Sequence, residues 1–394
     1  MLAEAISAEP YCAPRRGVAE LTRLAYSGAD LVPLYATLTR GCRFDAAAAG
    51  DVMDLALLAQ LLGDPASGLR LQSRILDVQH LFRPAARPPR PRLRLLALAA
   101  DLDIGGNTPV EFLLRDSDVE LTTLYLGANC AFGPLPAHDL AMVIMPDDDR
   151  CRPVLTALRS AAANWPCPVI NRPEAIARLD RDRLRDAIGD APGVVVPTTV
   201  KVRRDELARL TALPMVIRPV GSHAGKGLAR IDRLSQIRPY LEQCANEEFF
   251  VSPFVDYRSA DGLFRKYRVV LIGGKPYPVH MALGPAWALW YLNAEMEKTP
   301  ARRAEEQAFM DGFSAGFAAR HDNAFAAIAE RMGLDYFGLD CAETRDRELL
   351  VFEADNTLIV HDMDPPAIFP YKAPHMRQLF SAFQHMLLQR ARRG

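Results

Sequence analysis

Residues 336–356 constrain the fold more than any other part of the chain. Two apolar runs, YFGLDCAE and ELLVFEADN, are joined there by the charged turn TRDR. Short apolar runs on either side of a polar turn are typical of an antiparallel β-hairpin. The C-terminal part of the chain is therefore expected to contain an antiparallel sheet.

Three of the acids in this hairpin, Asp340, Glu353 and Asp355, interrupt its apolar runs. Asp340 and Glu353 can face each other across the two strands. Because side chains alternate along a strand, Asp355 shares the face of Glu353, whereas Asn356 points to the other face. Carboxylates in apolar surroundings require a counter-charge. A hard divalent cation, Mg²⁺ or Mn²⁺, is one candidate, and it commonly binds substrate phosphate as well.

A simpler interpretation of the same acids is structural. They would then pair with Arg345, Arg347 or a more distant arginine, without any metal. The spacing of the carboxylates does not decide between the two interpretations.

A second candidate site is the segment PMVIRPVGSHAGKGLARI, which reads as a strand, a glycine-rich loop and another strand. Glycines let backbone N–H groups approach phosphate oxygens, and Arg218 and Lys226 add positive charge. The loop is not a Walker A motif, because a strand follows it and no Ser or Thr follows Lys226. Taken alone, it could be an ordinary turn. Its small residues are Gly221, Ser222, Ala224, Gly225 and Gly227.

The hydrophobic pattern predicts four segments along the chain. Residues 1–88 form a helical N-terminal unit, because their apolar residues recur at helical spacing, and residues 89–92 end a proline-rich linker. In 93–170, apolar strands alternate with helices, which predicts an α/β domain with a parallel sheet. In 171–394, strands come in hairpin-like pairs, which predicts an α+β domain.

One motif in the predicted parallel-sheet domain has two interpretations. DIGGNTP follows the first strand, at the sheet edge where such domains bind ligands. Gly105 and Gly106 could hold an anion at a helix start. Equally, Asn107 or Thr108 could simply cap a strand-to-helix turn.

The composition excludes several classes of function. The formal net charge is −1 and no long block of Lys and Arg occurs, so neither nucleic acid nor an anionic membrane is an expected partner. No apolar run is long enough to span a bilayer and no signal segment begins the chain, which favours a cytoplasmic location. The seven cysteines are scattered without a Cys-x-x-Cys pair, so they are interpreted as ordinary thiols.

Together, and in this order, the glycine-rich loop and the acidic hairpin resemble the ATP-grasp superfamily of carboxylate–amine ligases. The similarity is to the branch that contains D-alanine ligase, glutathione synthetase and the ribosomal-protein glutamate ligase. The resemblance implies an ATP-grasp fold in 171–394, preceded by a Rossmann-like pre-ATP-grasp domain. FFVSPFV stands in the place of the strand that links the two nucleotide-binding lobes. The helical N-terminus lies outside the resemblance.

Two positions depart from the superfamily pattern. Arg218 stands where the superfamily usually has lysine, which keeps the charge but changes the geometry of phosphate contact. Asp355 stands at the Asn position of the Glu-x-Asn motif, with Asn356 one residue later. Strand alternation favours Asp355 as the metal ligand, with Asn356 as the fallback.

The resemblance also implies ligands and site residues, with ATP held between two sheets and Mg²⁺ or Mn²⁺ on its phosphates. The metal ligands would be Asp340, Glu353 and Asp355. Arg268 and Asn293 would contact phosphate and the developing transition state. The adenine would lie near Phe250, Val251 and Phe254. The nucleotide-binding residues would be Arg183 or its neighbour Arg181, Arg218, Ser222, Gly225, Lys226, Gly227, Val251, Phe254 and Lys266. For Arg181 and Arg183, a solvated helix face is the competing interpretation.

The implied reaction is amide formation. A substrate carboxylate would attack the γ-phosphorus of ATP, and an amine would attack the resulting acylphosphate, releasing ADP and phosphate. No protein nucleophile is needed, and no general base is identifiable, although His280 and His361 lie near the relevant strands. The alternatives are a kinase of the same fold, a non-catalytic nucleotide-binding protein, and an adaptor with a vestigial enzyme domain.

Two further expectations concern partners. Residues 256–268, DYRSADGLFRKYR, carry four cations, Arg258, Arg265, Lys266 and Arg268. They would suit an anionic substrate, such as an acidic amino acid or a peptide C-terminus, or they would form a solvated strand edge. The N-terminal helices are expected to serve docking to a protein partner or homodimerisation.

Overall fold

The computed structural model describes residues 9–86, 88–127, 134–222 and 225–392. They divide into two compact units. The first comprises the residues up to 176 together with 356–364 and those from 377 onward, and the second comprises 177–355 and 365–376. Within the described ranges, none of the helices combines the length and the apolar character that crossing a bilayer requires.

The first unit combines four N-terminal helices with a sheet. Its elements are β1 (Ala13–Arg15), α1 (Val18–Tyr26), α2 (Val32–Gly41), α3 (Ala49–Leu61), α4 (Pro65–Leu76), β2 (Leu81–Pro84), β3 (Leu93–Ala100), α5 (Val110–Leu113), β4 (Val119–Leu126), β5 (Leu140–Val143), α6 (Arg152–Ala162), β6 (Val169–Ile170) and α7 (Pro173–Ile176).

These strands form a six-stranded sheet in the order β1-β2-β4-β3-β5-β6. β4, β3, β5 and β6 run parallel to one another, as the alternation of strands and helices predicts. β3 is apolar along almost its whole length, because a central strand of a parallel sheet is covered on both faces. The parallel-sheet prediction for this region is confirmed.

The first 88 residues do more than form helices. β1 and β2 extend the same sheet, with β2 antiparallel to β4. Arg15 on β1 forms a buried ion pair with Glu111, with 3.0 Å between Nη2 and Oε1. The carboxylate of Asp54 on α3 accepts the backbone N–H groups of Arg16 and Gly17 at 2.7 and 3.1 Å. Residues 1–88 and 93–170 therefore share one unit, and the proline-rich stretch 89–92 does not divide two.

The second unit contains α8 (Leu184–Ile188), β7 (Val194–Val195), β8 (Val200–Arg203), β9 (Met215–Pro219), β10 (Ala229–Ile231), α9 (Ile237–Gln243), β11 (Glu248–Pro253), β12 (Phe264–Ile272), β13 (Lys275–Gly284), α10 (Pro300–Asp311), α11 (Asp322–Met332), β14 (Tyr336–Glu343) and β15 (Leu349–Asp355). The last helix, α12 (Lys372–Ala391), begins in this unit, and its residues from 377 onward belong to the first unit.

Two sheets organise the second unit. The four-stranded sheet has the order β10-β9-β11-β8, and all of its neighbouring strands are antiparallel. The five-stranded sheet has the order β13-β12-β14-β15-β7, in which only the short β7 is parallel to its neighbour. The expected α+β class, with antiparallel sheets and the hairpin β14–β15, is confirmed.

Strand alternation gives the five-stranded sheet two different faces. On β12, Tyr267 packs against Phe309 and Phe317, with ring centroids 4.9 and 4.5 Å apart. Its neighbours Lys266 and Arg268 therefore point to the opposite face. One face of the sheet is thus covered by aromatic residues, and the other is free to carry charge.

Candidate active site

A row of polar residues crosses four neighbouring strands of the five-stranded sheet. The strand register pairs His280 with Arg268, Arg268 with Asp340, and Asp340 with Glu353. Directly paired residues point to the same face of a sheet. The row therefore runs His280–Arg268–Asp340–Glu353, and Asp355 shares its face two residues beyond Glu353.

Asp340 lies at the centre of this row and is 4% exposed. Arg268 donates from Nε to Oδ1 at 2.8 Å and from Nη2 to Oδ2 at 3.1 Å, and Lys266 Nζ lies 2.7 Å from Oδ2. Burial opposes ionisation of this carboxylate, but Arg268 and Lys266 outweigh that effect and hold its pKa well below the ordinary value. Asp340 is therefore an ionised group held between two cations.

Glu353 has its own cations. Arg181 forms an ion pair with it, and Arg181 and then Arg218 lower its pKa against the opposing effect of burial. Arg183, the neighbouring candidate, is instead exposed and donates to the carbonyl of Ala177 at 3.4 Å. The structure thus brings Arg181, rather than Arg183, to the carboxylates.

Arg218 lies on β9, the strand before the glycine-rich loop, and its charge interacts with the acidic cluster. Burial and then the charge of Arg181 lower the pKa of Arg218 to about 10, while Glu353 and Asp340 raise it. Its guanidinium donates to Ser222, from Nε to the hydroxyl at 3.4 Å and from Nη2 to the carbonyl.

Backbone geometry explains the glycines of this loop. Gly221, Gly225 and Gly227 have φ of 73°, 73° and 70°, a region that side chains disfavour. Lys226 between them is exposed. Ala224, which the sequence also assigned to this loop, lies outside the described residues.

The predicted adenine contacts have other neighbours in the structure. The side chain of Val251 is part of the core of the four-stranded sheet, together with Phe249 and Ile217. The ring of Phe254 is covered by the Arg230 guanidinium, whose Cζ lies 3.9 Å from the ring centroid. Their role in binding a base stays a prediction.

Asn293 closes a local turn. Its side chain accepts the Trp290 N–H at 2.9 Å and donates to the Ala288 carbonyl at 2.8 Å. The structure does not bring this amide to the carboxylates. Asn356 is fully buried and donates to the Met145 carbonyl at 3.0 Å, as expected if Asp355, not Asn356, shares the face of Glu353.

The donor chemistry of the row suits a hard cation, because all three acids offer only carboxylate oxygens. In the described residues, however, no three Asp, Glu, His or Cys side chains are arranged to hold a metal ion. Both oxygens of Asp340 already accept bonds from Arg268 and Lys266. A divalent cation would therefore have to exchange with these partners, and the assignment of Asp340, Glu353 and Asp355 as metal ligands stays a prediction.

The excess of cations in 256–268 has a structural explanation. Arg258 pairs with Asp256 at 2.6 Å, and Arg265 pairs with Asp261 at 2.7 Å and also with Glu305. Lys266 and Arg268 both form ion pairs with Asp340. This segment therefore gives no independent support to an anionic substrate.

A second buried polar network adjoins the row, and no sequence pattern predicts it. Glu306 on α10 is fully buried, and its carboxylate accepts the Met281 N–H at 3.1 Å and the hydroxyls of Tyr291 and Tyr371 at 3.1 and 2.6 Å. Lys372 Nζ lies 3.4 Å from the same carboxylate and also donates to the Tyr291 hydroxyl. Helical periodicity gives no sign that an acid within α10 is buried.

The Asn and Thr side chains of the DIGGNTP motif form hydrogen bonds within the first unit. The side chain of Asn107 bonds both the N–H and the carbonyl of Ala100 at 3.0 Å. The Thr108 hydroxyl donates to the Ile144 carbonyl, and the following helix, α5, has only four residues. The interpretation as a strand-to-helix turn is therefore favoured over an anion site.

The chain matches no protein-family model and no curated protein. Solved structures similar to it include a RimK domain ATP-grasp protein from Sphaerobacter thermophilus, 18% identical, covering 75% of this chain and 99% of that one with a TM-score of 0.45. Another is the D-alanine–D-alanine ligase of Bacillus anthracis complexed with ATP, 14% identical, covering 76% and 97% with a TM-score of 0.46. A third is the ATP-grasp ligase PsnB complexed with a precursor variant, Mg and ADP, 13% identical, covering 75% and 99% with a TM-score of 0.42. These similarities are distant, so the function proposed below depends on this chain's own residues.

Proposed function

We propose that this protein is an ATP-dependent carboxylate–amine ligase of the ATP-grasp kind, which forms an amide through an acylphosphate and releases ADP and phosphate. The observation that carries the proposal is the row Arg268–Asp340–Glu353 on one face of an antiparallel sheet. Each carboxylate of the row is paired with a cation there, and phosphoryl transfer uses such cations, together with a divalent metal, to neutralise phosphate charge. The glycine-rich loop is connected to this row through Arg218 and Arg181.

The charges of this cluster suit a polyphosphate. Four cations, Lys266, Arg268, Arg181 and Arg218, accompany three carboxylates, Asp340, Glu353 and Asp355. A bound triphosphate would compete for Lys266, Arg268 and Arg181, which form exchangeable ion pairs with the carboxylates. The carboxylates released in this way would suit a divalent cation.

Each part of the cluster has a role in the proposed reaction. Arg268 and Lys266 would stabilise negative charge on the transferring phosphoryl group as the substrate carboxylate attacks it. A divalent cation held by the acidic residues would supply further neutralisation of phosphate charge. No cysteine is required as a nucleophile, and burial raises the pKa of the Cys341 thiol, the one nearest to the row in sequence.

The test is a screen of carboxylic acids for ADP release, with and without hydroxylamine. A ligase is expected to give a hydroxamate from its own substrate, because hydroxylamine intercepts an acylphosphate. ADP release without hydroxamate from any acid would contradict the ligase and favour a kinase of the same fold. A protein that binds ATP but releases no ADP with any acid or alcohol would be a vestigial nucleotide-binding domain.

A further inference from the structure

His280 stands at one end of the polar row and has no evident role in the fold. Its register partner is Arg268, and its buried Nδ1 has no hydrogen-bond partner among the described residues. A buried polar atom without a partner costs stability, and such atoms are uncommon in native proteins. This nitrogen therefore calls for an explanation.

Two other histidines have structural partners. His321 is buried, and its Nε2 lies 2.9 Å from a Glu343 oxygen. The Nδ1 of His361, the other histidine near the relevant strands, accepts the Met363 N–H at 3.2 Å, and its ring packs against Tyr26. These two imidazoles have structural explanations, whereas His280 has none.

The surroundings of His280 keep its ring uncharged. Burial and then the charges of Arg268, Lys372 and Lys266 lower its pKa well below the ordinary value, and only Asp340 opposes them. A neutral imidazole offers one acceptor nitrogen and one donor N–H. At neutral pH, His280 is therefore a base rather than a cation.

Tyr291 fixes the position of this ring. The two ring centroids are 4.8 Å apart. Tyr291 is in turn held by the buried Glu306 and by Lys372, which lies 4.1 Å from its ring centroid. Tyr291 belongs to the irregular segment 285–299, whose Leu292 is 85% exposed. Glu306 and Lys372, which are both buried, thus orient Tyr291, and Tyr291 lies against the imidazole of His280.

We propose that His280 binds the amine substrate, with its imidazole accepting an N–H of the attacking nitrogen. The inference rests on the proposed function and names the amine subsite of the same row. The amine reaches the ring by displacing part of segment 285–299. Tyr291 is a positioning residue for this subsite, and Arg268, the register partner of His280, belongs to the phosphate-binding part of the row next to it.

In the chemical step, the lone pair of the amine nitrogen forms the C–N bond to the acyl carbon of the acylphosphate. The C–O bond to phosphate breaks, and phosphate leaves with its electron pair. The proton lost from nitrogen passes to His280 and then to solvent. A base of low pKa is sufficient, because the nitrogen is positively charged after attack and is far more acidic than the free amine.

The neighbouring cations have a second consequence. Arg268, Lys266 and Lys372 disfavour the ammonium form of any amine bound beside His280, because like charges repel. The subsite therefore selects the uncharged amine, which is the nucleophilic form. A site built to hold an ammonium group would instead present an unpaired carboxylate, and the Asp340 carboxylate nearby is occupied by two cations.

The experiment separates the two half-reactions in His280→Asn. Hydroxamate formation at high hydroxylamine concentration should stay within about twofold of the wild type, since acylphosphate formation does not use His280. The natural amine is taken as the amino acid or short peptide that gives the fastest ADP release with the accepted acid, and the kcat/KM for it should fall by about tenfold to hundredfold. Equal loss of both activities, or loss of neither, would overturn the inference. Absence of hydroxamate from the wild-type protein would instead contradict the proposed function.

Two controls distinguish a specific effect of losing His280 from a general loss of stability. His321→Asn removes a buried histidine that has a structural partner, so it should lower stability without a selective loss of amine-dependent turnover. Tyr291→Phe and Tyr371→Phe each remove one hydroxyl that donates to the same oxygen of Glu306. Of these two tyrosines, Tyr291 is the one whose ring lies against His280. A rise in KM for the amine with Tyr291→Phe alone is expected, and equal effects of the two variants would contradict the positioning role.

A measurement on the wild-type protein covers the case in which His280→Asn does not fold. In protein labelled with ¹⁵N-histidine and bound to ADP, the natural amine should shift the imidazole signals of one histidine. That signal should be absent from the spectrum of His280→Gln. No shift at saturating amine, or a shift of a different histidine, would overturn the inference.

Discussion

The sharpest test of the charge cluster is Asp340→Asn, because it removes one charge from a group that two cations share. The Asp340 side chain is 5% exposed, and the side chains of Lys266 and Arg268 are 23% and 20% exposed. Removing one partner of a fully buried ion pair costs about 3–5 kcal/mol. Since both cations retain some contact with solvent, we expect a loss of about 2–4 kcal/mol in the free energy of unfolding, measured by urea denaturation.

The same substitution should strengthen one kind of binding. In the wild-type protein, a phosphate group must compete with Asp340 for Arg268 and Lys266. Without that competitor, ADP in EDTA should bind Asp340→Asn about tenfold more tightly, a gain of about 1.4 kcal/mol measurable by calorimetry. Turnover with Mg²⁺ should nevertheless fall by orders of magnitude, because the proposed function assigns this acid to the metal.

A matched control lies on the same strand. Glu343 pairs with Arg320 at 2.6 Å, three residues beyond Asp340 on β14. Glu343→Gln should lower stability without any change in the affinity for metal-free ADP. If metal-free ADP bound Asp340→Asn no better than the wild type, then Arg268 and Lys266 would not be phosphate ligands, and the electrostatic basis of the proposed function would fail.

Three further predictions follow from the described contacts. Arg181→Met should raise the KM for ATP by about tenfold, whereas Arg183→Met should leave it unchanged, and ATP titrations of the two variants compare them directly. Asp355→Ala should lower turnover more than stability, whereas the buried Asn356→Ala should mainly lower the melting temperature; the reverse ranking would contradict the strand-parity assignment. Burial raises the pKa of Asp54 to about 6. The stability that its protonated form contributes is therefore present at low pH and is lost as pH rises toward 6. Asp54→Asn should reduce the change in the free energy of unfolding between about pH 4 and 6.

The sequence predicted the acidic hairpin because the evidence for it is local. Two apolar runs and a polar turn determine the pairing, and strand alternation then places Asp340 opposite Glu353, as the register shows. The partners of these acids are not local. Arg268 is 72 residues from Asp340 and Arg181 is 172 residues from Glu353. The nearby Arg345 pairs instead with Asp256, at 3.6 Å.

The first unit shows a different limit of sequence patterns. β1 and β2 have three and four residues, and each contains proline and arginine, so neither gives a strand signal. Their place in the sheet is instead fixed by tertiary contacts, such as the buried pair of Arg15 and Glu111. The proline-rich stretch that follows β2 therefore resembled a linker although it joins two parts of one sheet. Docking or dimerisation through the N-terminal helices stays a prediction.

The pairing of cations with carboxylates along the row links nucleotide binding to metal binding. Without ligands, Asp340 is neutralised by Lys266 and Arg268, and Glu353 by Arg181, so the buried acids are compensated within the protein. Phosphate groups that take over these cations would leave the carboxylates uncompensated, and a divalent cation would restore the balance. Each ligand should therefore increase the affinity for the other, and by linkage the factor must be the same in both directions. The row thus compensates its buried acids without ATP, and the proposed function predicts that nucleotide and metal bind cooperatively.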